Sequence, residues 1–288
     1  MSALEFATPQ KAAFTVTRWL DAAFGVDGKD RFPVDVKALA LSIGQQMKDA
    51  DRIVEVQALA APTFEGGLFE LSVGKWALIY NDAHTSPRRS RWTQAHELGH
   101  FLVHRALRKS FECSAGEAAG WNAGDRDIER EADEFASNLL LPRKQFDQKL
   151  AGQPIDFDSL SGVADFFEVS LTATALRCVR LTDESLVLIS SRDGFIDWSV
   201  ASDRARRNGA FYRTVGTSPI ELPFGSVAAD SSQRALREGE KIPLRIWFEH
   251  AHRDAFVKEM KLQCDSYGNA LTLLHLSPRD LAWPPWSN

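Results

Sequence analysis

The sequence is poor in cysteine. Cys113, Cys178 and Cys264 are odd in number and widely separated, so neither a disulfide framework nor a cysteine metal site is suggested, and a reducing cytoplasm fits. No run approaches about 18 apolar residues, and no basic segment followed by an apolar one opens the chain. We therefore expect neither a membrane span nor a signal peptide. An excess of positive charge is also missing. The formal net charge of -5 argues against a general nucleic-acid binder, although a local basic patch is compatible with it. Internal repeats and low-complexity segments are absent. What is there, 288 residues with 44% hydrophobic and 25% charged side chains, is a globular composition long enough for two domains.

The most informative stretch runs from Trp92 to His104 and contains His96-Glu97-Leu98-Gly99-His100, an HExxH pattern. On a helix His96 and His100 lie one turn apart on one face, so both imidazoles can reach one metal ion. Residues Arg91 to Arg105 read as that helix, with apolar Ala95, Leu98, Phe101 and Leu102 for the core and no proline inside. Two imidazoles and one carboxylate leave the fourth position of a tetrahedral zinc open to water, whose pKa falls from about 15.7 toward about 7. Glu97 stands beside this face and is placed to take that water's proton. His104 falls a further turn, about 5.4 Å, along the axis, too far to join the same tetrahedral ion, so we read it as a packing or hydrogen-bonding residue.

The third ligand should come from elsewhere. Residues Asp127 to Pro142 read as a second amphipathic helix with Ile128, Ala132, Phe135, Ala136, Leu139 and Leu140 as its stripe and Pro142 as its stop. Glu129 and Asp133 are one turn apart. That spacing lets Glu129 bind zinc while Asp133 accepts the far N–H of a ligand histidine. Glu131 is the rival ligand, but it faces another side of the helix. His84, in the loop before the motif, is a candidate for an oxyanion or substrate contact.

The run from Trp76 to Pro142 resembles the ImmA/IrrE family of zinc metallopeptidases. The resemblance rests on Ile79-Tyr80-Asn81, the Arg89/Arg91 pair, Gln94 to His100, and Glu129-Arg130-Glu131-Ala132-Asp133-Glu134-Phe135-Ala136-Ser137-Asn138-Leu139-Leu140-Leu141-Pro142. It implies an α+β, gluzincin-like fold with a short twisted sheet beside the two motif helices. It also implies one zinc per chain on His96, His100 and Glu129, with Glu97 in the catalytic place. The implied activity is cleavage of a repressor or antitoxin-like protein at one site, derepressing a stress or mobile-element response.

Elsewhere, Thr8 to Phe24 and Val34 to Gln46 read as structural helices. Leu68 to Val73 and Trp76 to Tyr80 read as a hairpin joined at Gly74-Lys75, whose edge could hold an extended substrate. From Asp158 to Leu181 the pattern is helix, turn, helix. Arg177 and Arg180 are the only cations of its second helix, thin for DNA phosphate contacts, so a structural or docking role is favoured. Further on, Ser185–Ser190, Leu244–Glu249, Phe256–Cys264 and Ala270–Leu276 read as strands, with a turn at Ser266-Tyr267-Gly268-Asn269. Arg204, Arg206, Arg207 and Arg213 form this region's basic cluster, and Trp247, Trp283 and Trp286 suit core packing or a sensor pocket.

The sequence thus predicts a metallopeptidase domain over 1–150, a helix-turn-helix-like connector over 151–182, and a β-rich sensor or substrate-docking domain over 183–288. The expected function is that of a cytoplasmic zinc endopeptidase acting on a protein substrate, without membrane attachment or direct nucleic-acid binding. Two rivals are a zinc-bearing protein that sequesters its partner without hydrolysis, and a DNA-binding regulator.

Overall fold

The computed structural model describes residues 6, 8–61, 63–83, 86–114, 123–264, 268–277 and 282. Among these, eight α-helices and two sheets make a mixed α+β architecture. The chain divides by packing into two units, Met1–Phe146 with Asp165–Ser170, and Asp147–Ala164 with Leu171–Asn288.

In the first unit, α1 (Pro9–Phe24) starts where Thr8 caps the amide of Lys11 and Pro9 supplies a preset φ. Helix α2 (Val36–Gln46) is capped by Asp35, which accepts from Ala38 N at 2.9 Å, and it buries Val36, Leu39, Ala40 and Ile43. A four-stranded sheet follows, built from β1 (Arg52–Ala58), β2 (Phe64–Ser72), β3 (Lys75–Tyr80) and β4 (Ser110–Ser114) in the order β1-β3-β2-β4. β1 and β3 are parallel and the other pairs antiparallel. The hairpin turns at Gly74, whose φ of +73° suits glycine. Its strands are interior, however, because β1 covers β3 and β4 covers β2. Any free edge for a substrate therefore belongs to β1 or β4, not to the hairpin.

Helix α3 (Pro87–Gly99) starts four residues earlier than the apolar pattern suggested, because Pro87 opens it at its first turn. Its last turn widens into a π-helical segment, His100–His104. Arg105 fixes the end of that segment: its buried guanidinium pairs with Asp49, donates to Asp51 Oδ2 at 3.1 Å, and donates to Phe101 O at 2.9 Å. Helix α4 (Ala123–Leu140) carries the expected stripe, with Ala132, Phe135, Ala136, Leu139 and Leu140 all buried. It packs on α1 and α3. At the α3 crossing, a Cβ on Gly99 would lie 3.1 Å from Phe135 Cβ and 3.2 Å from Ala132 Cα. Glycine lets the two helices close to this distance.

Helices α5 (Arg143–Leu150), α6 (Phe157–Phe167) and α7 (Leu171–Leu181) follow, the last two joined by Glu168–Ser170. Arg88 bonds Asp165 Oδ1 at 2.6 Å and Val169 O at 3.1 Å, and Arg91 bonds Glu168 Oε2 at 2.7 Å, tying this junction to α3. Arg177 is buried and Arg180 exposed, so one of the two cations considered for DNA does not face solvent.

The second unit is an antiparallel sheet in the order β6-β5-β9-β8-β7, from β5 (Ser185–Arg192), β6 (Phe195–Ala201), β7 (Ala235–Pro243), β8 (Phe256–Cys264) and β9 (Asn269–Leu276). Helix α7 and the short α8 (Asp203–Arg207) pack on β5 and β6. The strand expected at Leu244–Glu249 is instead a 3-10 turn, Leu244–Ile246, following Pro243. Trp247 turns into the core there and donates to Glu259 Oε2 at 2.9 Å, so it packs rather than lining an open strand face. Arg204, Arg206 and Arg207 sit on α8. Trp283 and Trp286, and Ser266-Tyr267 of the expected turn, lie outside the described residues.

Gly99→Val forces a branched side chain into the α3–α4 contact. We expect it to lower unfolding free energy by about 1–3 kcal/mol in urea titration of the metal-free protein.

Candidate metal centre

The HExxH turn sits at the end of α3, where α4 and β4 both approach it. His96 Nε2 lies 3.1 Å from His100 Nε2 and 3.0 Å from Glu129 Oε2, while Glu129 Oε1 is 3.4 Å from His100 Nε2. The three side chains considered as ligands therefore converge on one point. Glu131 is elsewhere: its Oε2 is 3.0 Å from His104 Nε2. The two acids differ in direction because α4 turns by about 100° per residue, so positions two apart face roughly opposite ways.

His96 and His100 each have a second partner on the far nitrogen. Asp133 Oδ1 stands 3.0 Å from His96 Nδ1 and also accepts from Trp92 Nε1 at 3.4 Å. His104 Nδ1 stands 3.2 Å from His100 Nδ1, so a chain runs from His100 through His104 to Glu131. Such contacts fix the ring orientation and leave Nε2 facing inward. Phe111 of β4 stacks on His100, with ring centroids 4.6 Å apart and planes 15° apart. His84 lies outside the described residues.

Glu97 is fully buried, and among the described residues neither of its oxygens has a hydrogen-bond partner. It is seated against β2, where a Cβ on Gly66 would come within 2.8 Å of Glu97 Oε1 and 2.4 Å of Thr93 Cγ2. Only glycine lets the strand pass this close. Burial pushes the Glu97 carboxyl up to about 8, and the His96 charge offsets part of that rise. Burial also pushes His100 down to about 4, against its hydrogen bond to the accepting Glu129 carboxylate. Burial works against charge on His96 too, but its bonds to Asp133, Cys113 and Glu129 prevail and hold its pKa well above the usual imidazole range. For Glu129 burial is likewise the largest single influence, raising its pKa. It is outweighed by His100 and His96 together, which hold the carboxyl below the usual range. Ligation requires the neutral imidazole, so metal binding at His96 competes with its proton.

Cys113 is the residue the sequence reading missed. Its Sγ lies 3.4 Å from His96 Nε2 and 3.3 Å from Glu129 Oε2, so His96, His100, Cys113 and Glu129 offer four donor atoms within 4.8 Å of one another. A signal for it existed in the chain: in a strand, Phe111 and Cys113 share a face. The donors fit zinc. Two imidazoles, a carboxylate and a thiol are its usual ligand types, and a tetrahedron bonded at about 2.1 Å has edges of about 3.4 Å, close to the separations here.

Residues 38–179, from α2 into α7, match the Peptidase_M78 family, described as IrrE N-terminal-like domain. These residues form an ImmA/IrrE domain. The family is one of metallopeptidases, and the ImmA/IrrE domain here includes both motif helices and β4. A solved Mycobacterium tuberculosis transcriptional regulator resembles the chain with a TM-score of 0.53 at 12% identity, covering 94% of this chain and 77% of that one. At such low identity the likeness is one of fold. No curated protein matches the chain.

The site has a pH signature in the metal-free state. Glu97 has a raised folded pKa, so its contribution to stability is complete below its unfolded value near 4.5 and fades as pH rises toward about 8. His96, also raised, works in the same direction. His100, lowered to about 4, adds stability as pH rises from about 4 to 6.5 and is flat above that. We expect apo-protein stability to fall between pH 6.5 and 8, with Glu97→Gln removing up to about 2 kcal/mol of that fall in denaturant titrations at each pH.

Proposed function

We propose that the chain is a cytoplasmic zinc endopeptidase of narrow specificity. Its substrate is a regulatory protein, repressor-like or antitoxin-like, whose cleavage switches on a stress or mobile-element response. The observation that carries the reading is Glu97, a fully buried carboxyl without a hydrogen-bond partner among the described residues, set beside three converging metal donors. A protein keeps such a group at a cost in stability, and proton transfer during catalysis accounts for it.

In this reading His96, His100 and Glu129 hold one zinc, and Asp133 orients His96. Zinc, when bound, supplies Lewis-acid polarisation of the scissile carbonyl and lowers the pKa of water. Glu97 takes the proton of the attacking water and returns it to the leaving amine. Gly66 keeps β2 clear of its carboxylate. The outer edge of β4 has no strand partner among the described residues, and an extended peptide can add to it by backbone hydrogen bonds.

The family match supports peptidase chemistry. The regulatory part of the reading accords with the role by which the Mycobacterium tuberculosis protein is named. For the C-terminal unit we propose signal sensing or substrate docking. A cleft of about 660 Å³ lined by Phe211, Arg245, Ile246, Phe248, Glu249 and His250 offers a mixed apolar and charged surface for either. Direct DNA reading is disfavoured by the burial of Arg177.

Two experiments test this. Glu97→Gln should keep stoichiometric zinc and lose about 10²–10⁴-fold in hydrolysis. New protein N-termini in cells carrying the wild-type chain should vanish in cells carrying that variant, and activity surviving Glu97→Gln would sink the peptidase reading. Glu129→Ala should lose stoichiometric zinc in elemental analysis while Glu131→Ala retains it. The reverse pattern would move the ligand by two residues.

A further inference from the structure

Cys113 is absorbed by neither the three-ligand site nor the sheet. As a residue of β4 it needs no special chemistry, yet its thiol points into the metal cluster instead of away from it. It donates to Glu129 Oε2 at 3.3 Å and touches His96 Nε2 at 3.4 Å. A second feature points to the same space: the Glu97 carboxylate is wholly buried, neither oxygen has a partner in good hydrogen-bond geometry among the described residues, and it interacts with His96, Glu129 and the Cys113 thiol. The cluster therefore holds one more donor than a water-activating zinc site uses, since such sites take three protein ligands and leave the fourth position to water.

We propose that Cys113 is the fourth protein ligand of the resting metal site, and that its thiolate occupies the position water needs. The inference rests on the zinc reading of the site and adds a latent form to it. Three observations carry it. All four donor atoms lie within 4.8 Å of one another, and the two separations from Cys113 Sγ are close to the edges of a zinc tetrahedron. Stacking of Phe111 on His100 fixes the strand's phase, and Cys113, two residues on, shares that face. Thiolate is also a strong zinc ligand, so a thiol at this distance competes with water for the ion.

The chemistry balances without a further reactant. On ligation the thiol gives its proton to solvent, the S–H···O bond to Glu129 is lost, and a sulfur–metal bond forms. Release of the sulfur takes one proton back. With sulfur bound, four protein donors surround the ion and Glu97 has no water to deprotonate. Opening requires only that β4 draw Cys113 aside, and β4 is an edge strand that an added peptide strand would engage.

X-ray absorption on the zinc-loaded full chain is the direct test. The expected shell contains one sulfur at about 2.3 Å with nitrogen and oxygen at about 2.0–2.2 Å, and Cys113→Ala loses the sulfur while keeping stoichiometric zinc. A zinc-loaded wild-type shell of nitrogen and oxygen alone overturns the proposal and leaves the three-ligand site intact. A chain that takes up no zinc overturns both. Should Cys113→Ala fail to fold, iodoacetamide labelling of the wild-type protein read by peptide mass spectrometry replaces it. Zinc should suppress labelling of Cys113 at least tenfold and chelation should restore it, and equal labelling in both states counts against ligation. Hydrolysis by a folded Cys113→Ala should exceed that of the wild type several-fold, whereas a slower variant with full zinc overturns the latent form.

Discussion

The close crossing of α3 and α4 is the constraint on which the site depends. His96 and His100 are on one helix and Glu129 on the other, so their meeting requires the backbones to approach more closely than two side-chain-bearing surfaces allow. Gly99 supplies that approach, with Ala132 and Phe135 facing it. The same contact brings Asp133 to the outer nitrogen of His96, because Glu129 and Asp133 are one turn apart on α4. Helix packing and ligand geometry are thus one arrangement. A glycine inside HExxH sets the distance between the donor side chains on either helix.

Around that crossing the polar groups are arranged in two layers. The inner donors face one another, and each histidine is braced from behind, His96 by Asp133 and His100 by His104 with Glu131. Glu97 alone stands without a brace among the described residues, pressed against Gly66. The contrast fits the proposed roles, in which the histidines are held still and Glu97 exchanges a proton. Unit two handles buried charge differently: Glu259 and Lys261, two apart on β8, are both buried. Glu259 accepts from Trp247 and Ala228, and Lys261 donates to the carbonyls of Val227, Ala228 and Asp230. There the charges tie a loop to the sheet.

How much of this could be read from the chain depended on the range of the interaction. The HExxH turn, the stripe of α4 and the Glu129–Asp133 spacing are local periodic patterns, and the sequence carries them plainly. The separate directions of Glu129 and Glu131 also follow from helical phase. What escaped was set by distant partners. Strands β1 and β4 bracket a hairpin that reads as complete in itself, so its burial as the centre of a sheet is visible only once all four strands pair. The run Leu244–Glu249 is rich in apolar residues, as a strand would be, but Pro243 and the demand of Trp247 for the core turn it into a 3-10 segment. Cys113 was set aside because cysteines were weighed by their spacing to one another. Its neighbours are histidines and a glutamate from other elements.

The π segment His100–His104 sits between the helix of the HExxH turn and β4. A π turn holds one residue more than an α turn over the same rise. Arg105 is clamped by Asp49, Asp51 and Phe101 O just past it, and β4 begins only five residues later. The turn takes up its surplus residue before Arg105, and the count from Arg105 to β4 brings Phe111 to His100 and Cys113 to His96. Removing one residue from this turn would restore regular helix and leave Arg105 in its place, whereas removing one between Arg105 and β4 would shift the strand by one position. Strand alternation makes a one-residue slip equivalent to turning β4 over. In this domain, the spacing between helix and strand is as much a part of the site as the side chains themselves.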